Sequence, residues 1–311
     1  MKIPTSKKLY NKHFKEYWLP EEQTDRLKKV LVAMLDDFHL LCDKYNLQYY
    51  LCGGTLLGAV VYCGFIPWDD DIDLLMARSQ CNQLADLYKK EFGGKYNVLT
   101  PYNTPDEPLQ YYKVELAGTE LTEIVQNDLD KKHGIFIDIV PIDNVPDNKI
   151  ARYIRGKIYN IAAKIPSVCN DFKHPSAIIL EKAKTEAEIR KYYRFRRTLG
   201  FLFSFFSVNT WKKIAESMLV YNNDQAKCCT IGCSSKGYLG VIYSRDIYNQ
   251  RIMLYFEDKK YYANKYYDMM LKNEYGNYLR YLPPEEREQH VVIKLKFPDD
   301  MAEDTRASMP G

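Results

Sequence analysis

Between Pro20 and Tyr45 apolar side chains recur at Leu27, Val30, Leu31, Met34, Leu35, Phe38, Leu41 and Cys42. That three-and-four spacing predicts one amphipathic helix that buttresses a sheet, and Pro20 followed by Glu21 and Glu22 suits its start. The period then shortens. Tyr49 to Cys52 reads as a strand, Gly53-Gly54-Thr55 as a turn, and Leu56, Leu57, Val60 and Val61 as a second helix. Beyond Phe65-Ile66-Pro67-Trp68, an extended run from Asp71 to Met76 puts Asp71 and Asp73 on one face and Ile72, Leu74 and Met76 on the other. A helix over 80–92 ending at Gly93-Gly94, a proline-rich loop over 101–109 and a strand over 111–116 follow. A strand over 134–140 is ended by Pro141, and Asp143 falls in the turn after it.

The acids make this pattern a site. Four aspartates, Asp69, Asp70, Asp71 and Asp73, occupy five positions at the mouth of an apolar strand. Two carboxylates on one strand face repel each other and are tolerable when a hard cation such as Mg²⁺ sits between them; Asp69 and Asp70 lie at the entrance as supporting or solvated groups. Asp138 interrupts Ile135, Phe136, Ile137, Ile139 and Val140, so it is buried on a strand with two apolar faces. A buried carboxylate is costly without a charged partner, and the cation held by Asp71 and Asp73 is the simplest one; capping of a neighbouring backbone is the alternative. Gly53, Gly54 and Thr55 let a phosphate approach a helix N-terminus. A glycine turn followed by metal-binding aspartates is the minimum apparatus for phosphoryl transfer. Lys113 is a candidate phosphate contact, although a strand-edge lysine is more commonly a solvent-facing charge.

Composition adds limits. The 311 residues suffice for one large or two modest domains, and a net charge of +3 is too small to argue for nucleic acid. The N-terminus lacks an apolar signal core and no later run is long enough to span a bilayer. Eight scattered cysteines suit a reduced, cytoplasmic residence; Cys228, Cys229 and Cys233 lack the spacing and neighbouring histidine of a zinc site, which is disfavoured. The segment 151–213 stands apart, with fourteen Lys and Arg against four acids, a net excess of ten, and Phe201 to Phe206 beside the basic run Arg190 to Arg197. Basic residues next to bulky aromatics suit a peripheral contact with an anionic membrane or a lipid-linked acceptor. The plainer reading is a helical subdomain with its phenylalanines in a core.

GGTLLGAV and GFIPWDDDID, followed by GIFIDIVPID, resemble the LicD family of phosphotransferases, which includes the fukutin-like proteins. FED at 256–258, YGNYLRYLPP at 275–284 and the EEREQH after it resemble that family's closing motif, so the likeness covers roughly 20–145 and 240–290. The resemblance implies an α/β fold with a nucleotidyltransferase-like mixed sheet flanked by helices, here with a basic helical insertion. It implies a Mg²⁺- or Mn²⁺-dependent transfer from a CDP-linked donor, CDP-choline for LicD proteins proper, to a hydroxyl of a cell-surface glycan or lipid-linked glycan precursor. The family's metal carboxylates fall on Asp71 and Asp73, its third acid on Asp138 and its phosphate-binding turn on Gly53, Gly54 and Thr55; Asp70 joins Lys113 among the expected substrate contacts. The chain departs from the pattern at Val61-Tyr62-Cys63, where family members carry basic residues, and at Asn264, where they carry proline.

The expected organisation is an N-terminal arm over 1–19, a catalytic core over 20–150, a basic helical subdomain over 151–235, a second part of the catalytic region over 236–298 and a flexible tail over 299–311. Tyrosines at 261, 262, 266, 267, 275, 278 and 281 are candidates for a cage around a quaternary ammonium, or simply packing residues. Rival readings are a nucleotidyltransferase that releases pyrophosphate, a CDP-ribitol or CDP-glycerol transferase, a glycosyltransferase, and a non-catalytic membrane-surface protein.

Overall fold

A computed structural model of the chain describes residues 6–125 and 131–300. Its helices in chain order are α1 (Ser6–His13), α2 (Glu21–Lys44), α3 (Gly53–Val61), α4 (Arg78–Cys81), α5 (Leu84–Phe92), α6 (Lys149–Ala162), α7 (Ile165–Lys173), α8 (Ala177–Thr185), α9 (Ala187–Phe203), α10 (Val208–Leu219), α11 (Gly237–Gly240) and α12 (Tyr267–Tyr275). The strands are β1 (Tyr49–Leu51), β2 (Asp73–Ala77), β3 (Tyr96–Leu99), β4 (Tyr112–Leu116), β5 (Glu120–Glu123), β6 (Phe136–Val145), β7 (Cys228–Thr230), β8 (Ile242–Ser244), β9 (Arg251–Phe256), β10 (Lys259–Asn264) and β11 (Val292–Lys296). The fold is α/β, with a mixed sheet flanked by helices. Its main sheet runs β1-β2-β6-β4-β3, and β7 and β8 extend it from the far end of β6. β2 and β6 are parallel; their other neighbours are antiparallel.

Both sheet faces are covered, and alternation assigns each residue to one of them. Tyr49, Leu51, Leu74, Met76, Ile137 and Ile139 pack into the large core formed with α2, where Leu27, Leu31, Met34, Leu35, Phe38, Leu41 and Cys42 are buried. Each such side chain contributes about 1.5–3 kcal/mol of transfer free energy. Tyr50, Leu75, Val140 and Ile142 point the other way, toward Ile231, Val241, Tyr248 and Met270. The α1 helix is no free arm: Leu9, Tyr10 and Phe14 pack with Ile179, Ile189 and Tyr193 of the helical region. Of the expected flexible tail, Asp299 and Asp300 pair with Arg26, and 301–311 lie outside the described residues.

Three local expectations are corrected. The helix expected over 80–92 is two helices, α4 and α5, broken at Asn82-Gln83. Pro141 does not end its strand; β6 continues to Val145. Alternate residues of a strand donate to opposite sides, and Asp138 donates its N–H to Ile72 on the β2 side. The missing donor of Pro141 therefore faces the other edge, in the gap where β4 pairing stops at Ile139 and β7 pairing begins at Asp143. Asp143 is consequently a strand residue: buried, it accepts from Arg78 Nε and, at 2.8 Å, from Arg78 Nη2, and Arg78 is buried as well.

Removing one partner of such a pair strands the other charge in the interior. Asp143→Ala should lower the unfolding free energy by about 3–5 kcal/mol, read as a drop in the urea midpoint; an unchanged midpoint would mean that water reaches Arg78.

Candidate active site

Three adjacent strands build the site. Register sets Lys113 of β4 opposite Asp138 of β6, and Asp138 opposite Asp73 of β2. Residues in register on neighbouring strands leave the sheet on the same side. That side faces away from α2, because Leu74 and Ile139, one residue further on, point into the α2 core. A cation and two carboxylates thus stand in one transverse row. Lys113, a candidate phosphate contact or else a solvent-facing edge charge by its sequence, stands on an interior strand, and its side chain is buried.

Lys113 Nζ is 3.0 Å from Asp138 Oδ1 and 3.1 Å from the centroid of the Phe136 ring. The ion pair lacks hydrogen-bond geometry, and Asp138 Oδ1 is buried without a hydrogen bond. Burial pushes the Asp138 carboxyl up to about 6, against the pull of the Lys113 ammonium and with a further push from Asp71 and Glu123. Asp73 is held from behind: its N–H donates to Thr55 Oγ1 at 2.9 Å, and its carbonyl accepts from Cys52 N at 3.1 Å. Thr55 is buried, and its side chain serves the strand start.

The glycine turn is crowded by the chain's own acids. A Cβ on Gly53, whose φ is +54°, would lie 2.8 Å from Asp73 Oδ2, and one on Gly54 would lie 2.2 Å from Asp69 Oδ2. The glycines are required by these close approaches. Gly64 similarly abuts Glu257, whose Oε1 accepts the Phe65 N–H at 3.0 Å, so the FED motif holds the loop that leads into the aspartates.

The remaining acids of the cluster meet a residue to which the sequence reading assigned no role. His290 Nδ1 lies 2.6 Å from Asp70 Oδ1, and Nε2 lies 3.6 Å from both Asp71 Oδ2 and Glu123 Oε1. Burial would lower the imidazole pKa, but Asp70, Glu123 and Asp71 outweigh it and hold the ring well above its usual value, as a cation. Asp70, expected among the substrate contacts, is instead buried beneath His290. Asp71 precedes β2 and leans to the same imidazole, beside rather than within the strand row. His290 stood in the EEREQH motif, but Glu123 carried no sequence signal; pairing of β5 with β11 delivers it.

A cavity of about 300 Å³ adjoins Asp73 and Asp138, with Tyr111, Tyr243, Tyr275, Met270 and Glu274 in its wall. Of the seven candidate cage tyrosines only Tyr275 lines it. Tyr261 is buried and donates to Asp36, Tyr262 packs on His39, and Tyr281 is exposed beside Arg287.

Residues 46–156 match the family described as LicD/FKTN/FKRP, nucleotidyltransferase domain. Over 272 residues, 85% of this chain and 94% of the relative, the sequence is 29% identical to the lipopolysaccharide cholinephosphotransferase LicD of Haemophilus influenzae. Uncharacterized proteins of Rickettsia prowazekii and Rickettsia typhi are each 48% identical over 44 residues, 14% of this chain and 16% and 14% of theirs. Residues 46–156 thus carry a LicD-type nucleotidyltransferase domain, and the chain is similar to LicD over most of its length. That likeness supports a transferase of phosphorus-containing groups, and the mixed sheet is consistent with a nucleotidyltransferase-like domain.

Hard carboxylate oxygens, one of them buried without a hydrogen bond, are the donors that Mg²⁺ or Mn²⁺ prefers. Among the described residues, no three acidic, histidine or cysteine side chains are gathered to hold a metal by themselves. That suits an ion shared between one or two carboxylates and substrate phosphate oxygens.

The ion pair is testable directly. Lys113→Met should move the Asp138 titration above about 6, followed by carboxyl ¹³C NMR; an unmoved titration would mean that Lys113 does not act on Asp138.

Proposed function

We propose that this LicD-like enzyme transfers phosphocholine from CDP-choline to a hydroxyl of a cell-surface glycan or lipid-linked glycan precursor, of the lipopolysaccharide type, releasing CMP. The observation that carries the donor assignment is the cavity beside Asp73 and Asp138. Tyr111, Tyr243 and Tyr275 offer aromatic walls, and Glu274, whose Oε1 accepts from the Ser235 hydroxyl, offers a carboxylate. Aromatic faces and a nearby anion are what a quaternary ammonium seeks. The acceptor assignment rests on the relative's lipopolysaccharide activity.

Asp73 and Asp138 are the residues that would hold Mg²⁺ or Mn²⁺, while Asp71 stays with His290 beside the row; once bound, such an ion would supply the positive charge that lets a pyrophosphate approach a turn already occupied by carboxylates. The amides of Gly54 and Thr55 and the ammonium of Lys113 orient donor phosphate oxygens. The acceptor hydroxyl attacks the distal phosphorus, the bond from that phosphorus to the bridging oxygen breaks, and CMP carries away the electron pair. Asp138, the acid on the attack side by analogy with the family, takes the hydroxyl proton.

Asp73→Asn should abolish CMP release while leaving the melting temperature within a few degrees of the parent; retained turnover would overturn the assignment, and pyrophosphate release from an NTP would favour a nucleotidyltransferase. Donor identity has its own test. Glu274→Gln and Tyr275→Leu should each raise KM for CDP-choline about tenfold while leaving KM for CDP-glycerol unchanged. Equal effects on CDP-choline, CDP-glycerol and CDP-ribitol would place a shared part of the donor there and refute the ammonium cage.

A further inference from the structure

The most unusual surface of the molecule lies on α6, well before the aromatic run to which the sequence drew attention. Asn148 caps this helix by accepting from the N–H groups of Ile150 and Ala151. Its inward face is made of Gly156, Tyr159 and Ala162, and a Cβ on Gly156 would lie 2.6 Å from Tyr238 and 2.5 Å from Leu239. Small side chains and one ring are turned inward, and the large apolar ones are turned out. Ile150 is 72% exposed, Ile154 52% and Ile161 65%, with Tyr153 and Ile158 exposed alongside. Positions 150, 154, 158 and 161 recur at helical spacing and form one stripe. Soluble helices are built the other way round, with the large apolar residues facing the core.

The charges on α6 sort in the same direction. Arg155 is committed inward, donating to Ser217 O and Val220 O at 2.8 Å, and Arg152 reaches Pro146 O. The exposed cations are Lys149 and Lys157 on the helix and Lys164 just past its end, and no Asp or Glu occurs from 148 to 170. At the end nearest Ile161, Ile165 joins Phe203 and Trp211 in one cluster. Phe205 and Phe206 lie against Trp211, and Phe201, Leu202, Phe205 and Phe206 are all exposed. Among the described residues no helix is long and apolar enough to cross a membrane.

We propose that the outer face of α6, Ile150 to Ile161 with these three lysines, beds into the interfacial layer of an anionic lipid bilayer, with the aromatic tip Phe201 to Phe206 as a second anchor. From Ile150 to Ile161 the helix lays about 17 Å of apolar stripe along the headgroup boundary. The lysines meet anionic headgroups there. Lipid fits better than a second copy of this chain, because two copies of an acid-free, lysine-bearing helix would set like charges against each other. The placement would hold the transferase at the surface where a lipid-linked acceptor is presented.

The full-length protein should co-sediment with phosphatidylcholine vesicles containing phosphatidylglycerol, weakly with phosphatidylcholine alone, and less as salt is raised. Ile154→Glu with Ile161→Glu should cut the partition coefficient at least tenfold for each residue, and Lys157→Glu with Lys164→Glu about fivefold for each. Tyr153→Trp reports independently of any loss of folding in the charged variants: its fluorescence should be quenched by brominated lipids in anionic vesicles. No binding to anionic vesicles at low salt, no quenching, or equal binding by the isoleucine variant would overturn the proposal. A dimer that the isoleucine variant breaks, without lipid binding, would overturn it in favour of a second copy.

Discussion

A carboxylate taken out of water must be answered by positive charge, and the row Lys113, Asp138, Asp73 is where this chain meets that requirement. Asp138 loses hydration on an interior strand and regains only part of it from Lys113, which is why its carboxyl rises to about 6 even with an ammonium 3.0 Å away. The surroundings keep the row in line. Thr55 pins the start of β2, Gly53 makes space for the Asp73 carboxylate, and Pro141 lets β6 change partners without losing a ladder bond. A one-residue slip of β4 or β2 against β6 would send the partner charge into the apolar core on the other face.

The cluster just outside the row is assembled from the two ends of the described chain. Asn11 of α1 donates to Gln289 O and accepts from Gln289 N at 2.9 and 2.7 Å, fixing the residue before His290. Ile124 then donates to Val291 O, tying the same segment to the end of β5, where Glu123 stands. The imidazolium so placed answers Asp70, Asp71 and Glu123 together, and four aspartates can be concentrated at one strand mouth without mutual repulsion opening the loop. The N-terminal helix is therefore a structural strut of the site.

The helices after β6 pack by close approach. Gly200 of α9 brings that helix so near α7 that a Cβ would lie 2.1 Å from Val168 O, and Gly156 does the same for α6 against α11. At those two glycines there is no inward room for a larger side chain, and the isoleucines of α6 lie on its outer face. Much of the positive charge that the sequence concentrates in 151–213 is consumed internally: Arg196 pairs with Asp171, Arg155 with backbone carbonyls, and Lys212, lowered to about 8 by burial, with Thr104 O.

Local periodicity was enough to read α2, the strand–glycine turn–helix unit of β1 and α3, and the placement of Asp73 opposite Ile72, Leu74 and Met76, because face alternation is a property of the backbone that needs no partner. The buried position of Asp138 was legible for the same reason: apolar neighbours on both sides leave a strand no wet face. What lay beyond the sequence depends on which strand lies beside which. Only register makes Lys113 the neighbour of Asp138, carries Asp143 to Arg78, and lets β6 run through a proline. Only packing of the chain ends puts His290 over Asp70, and only tertiary packing decides which face of α6 turns outward. Those outcomes are set by long-range contacts between segments whose own patterns are silent about each other, so tertiary structure alone decided them.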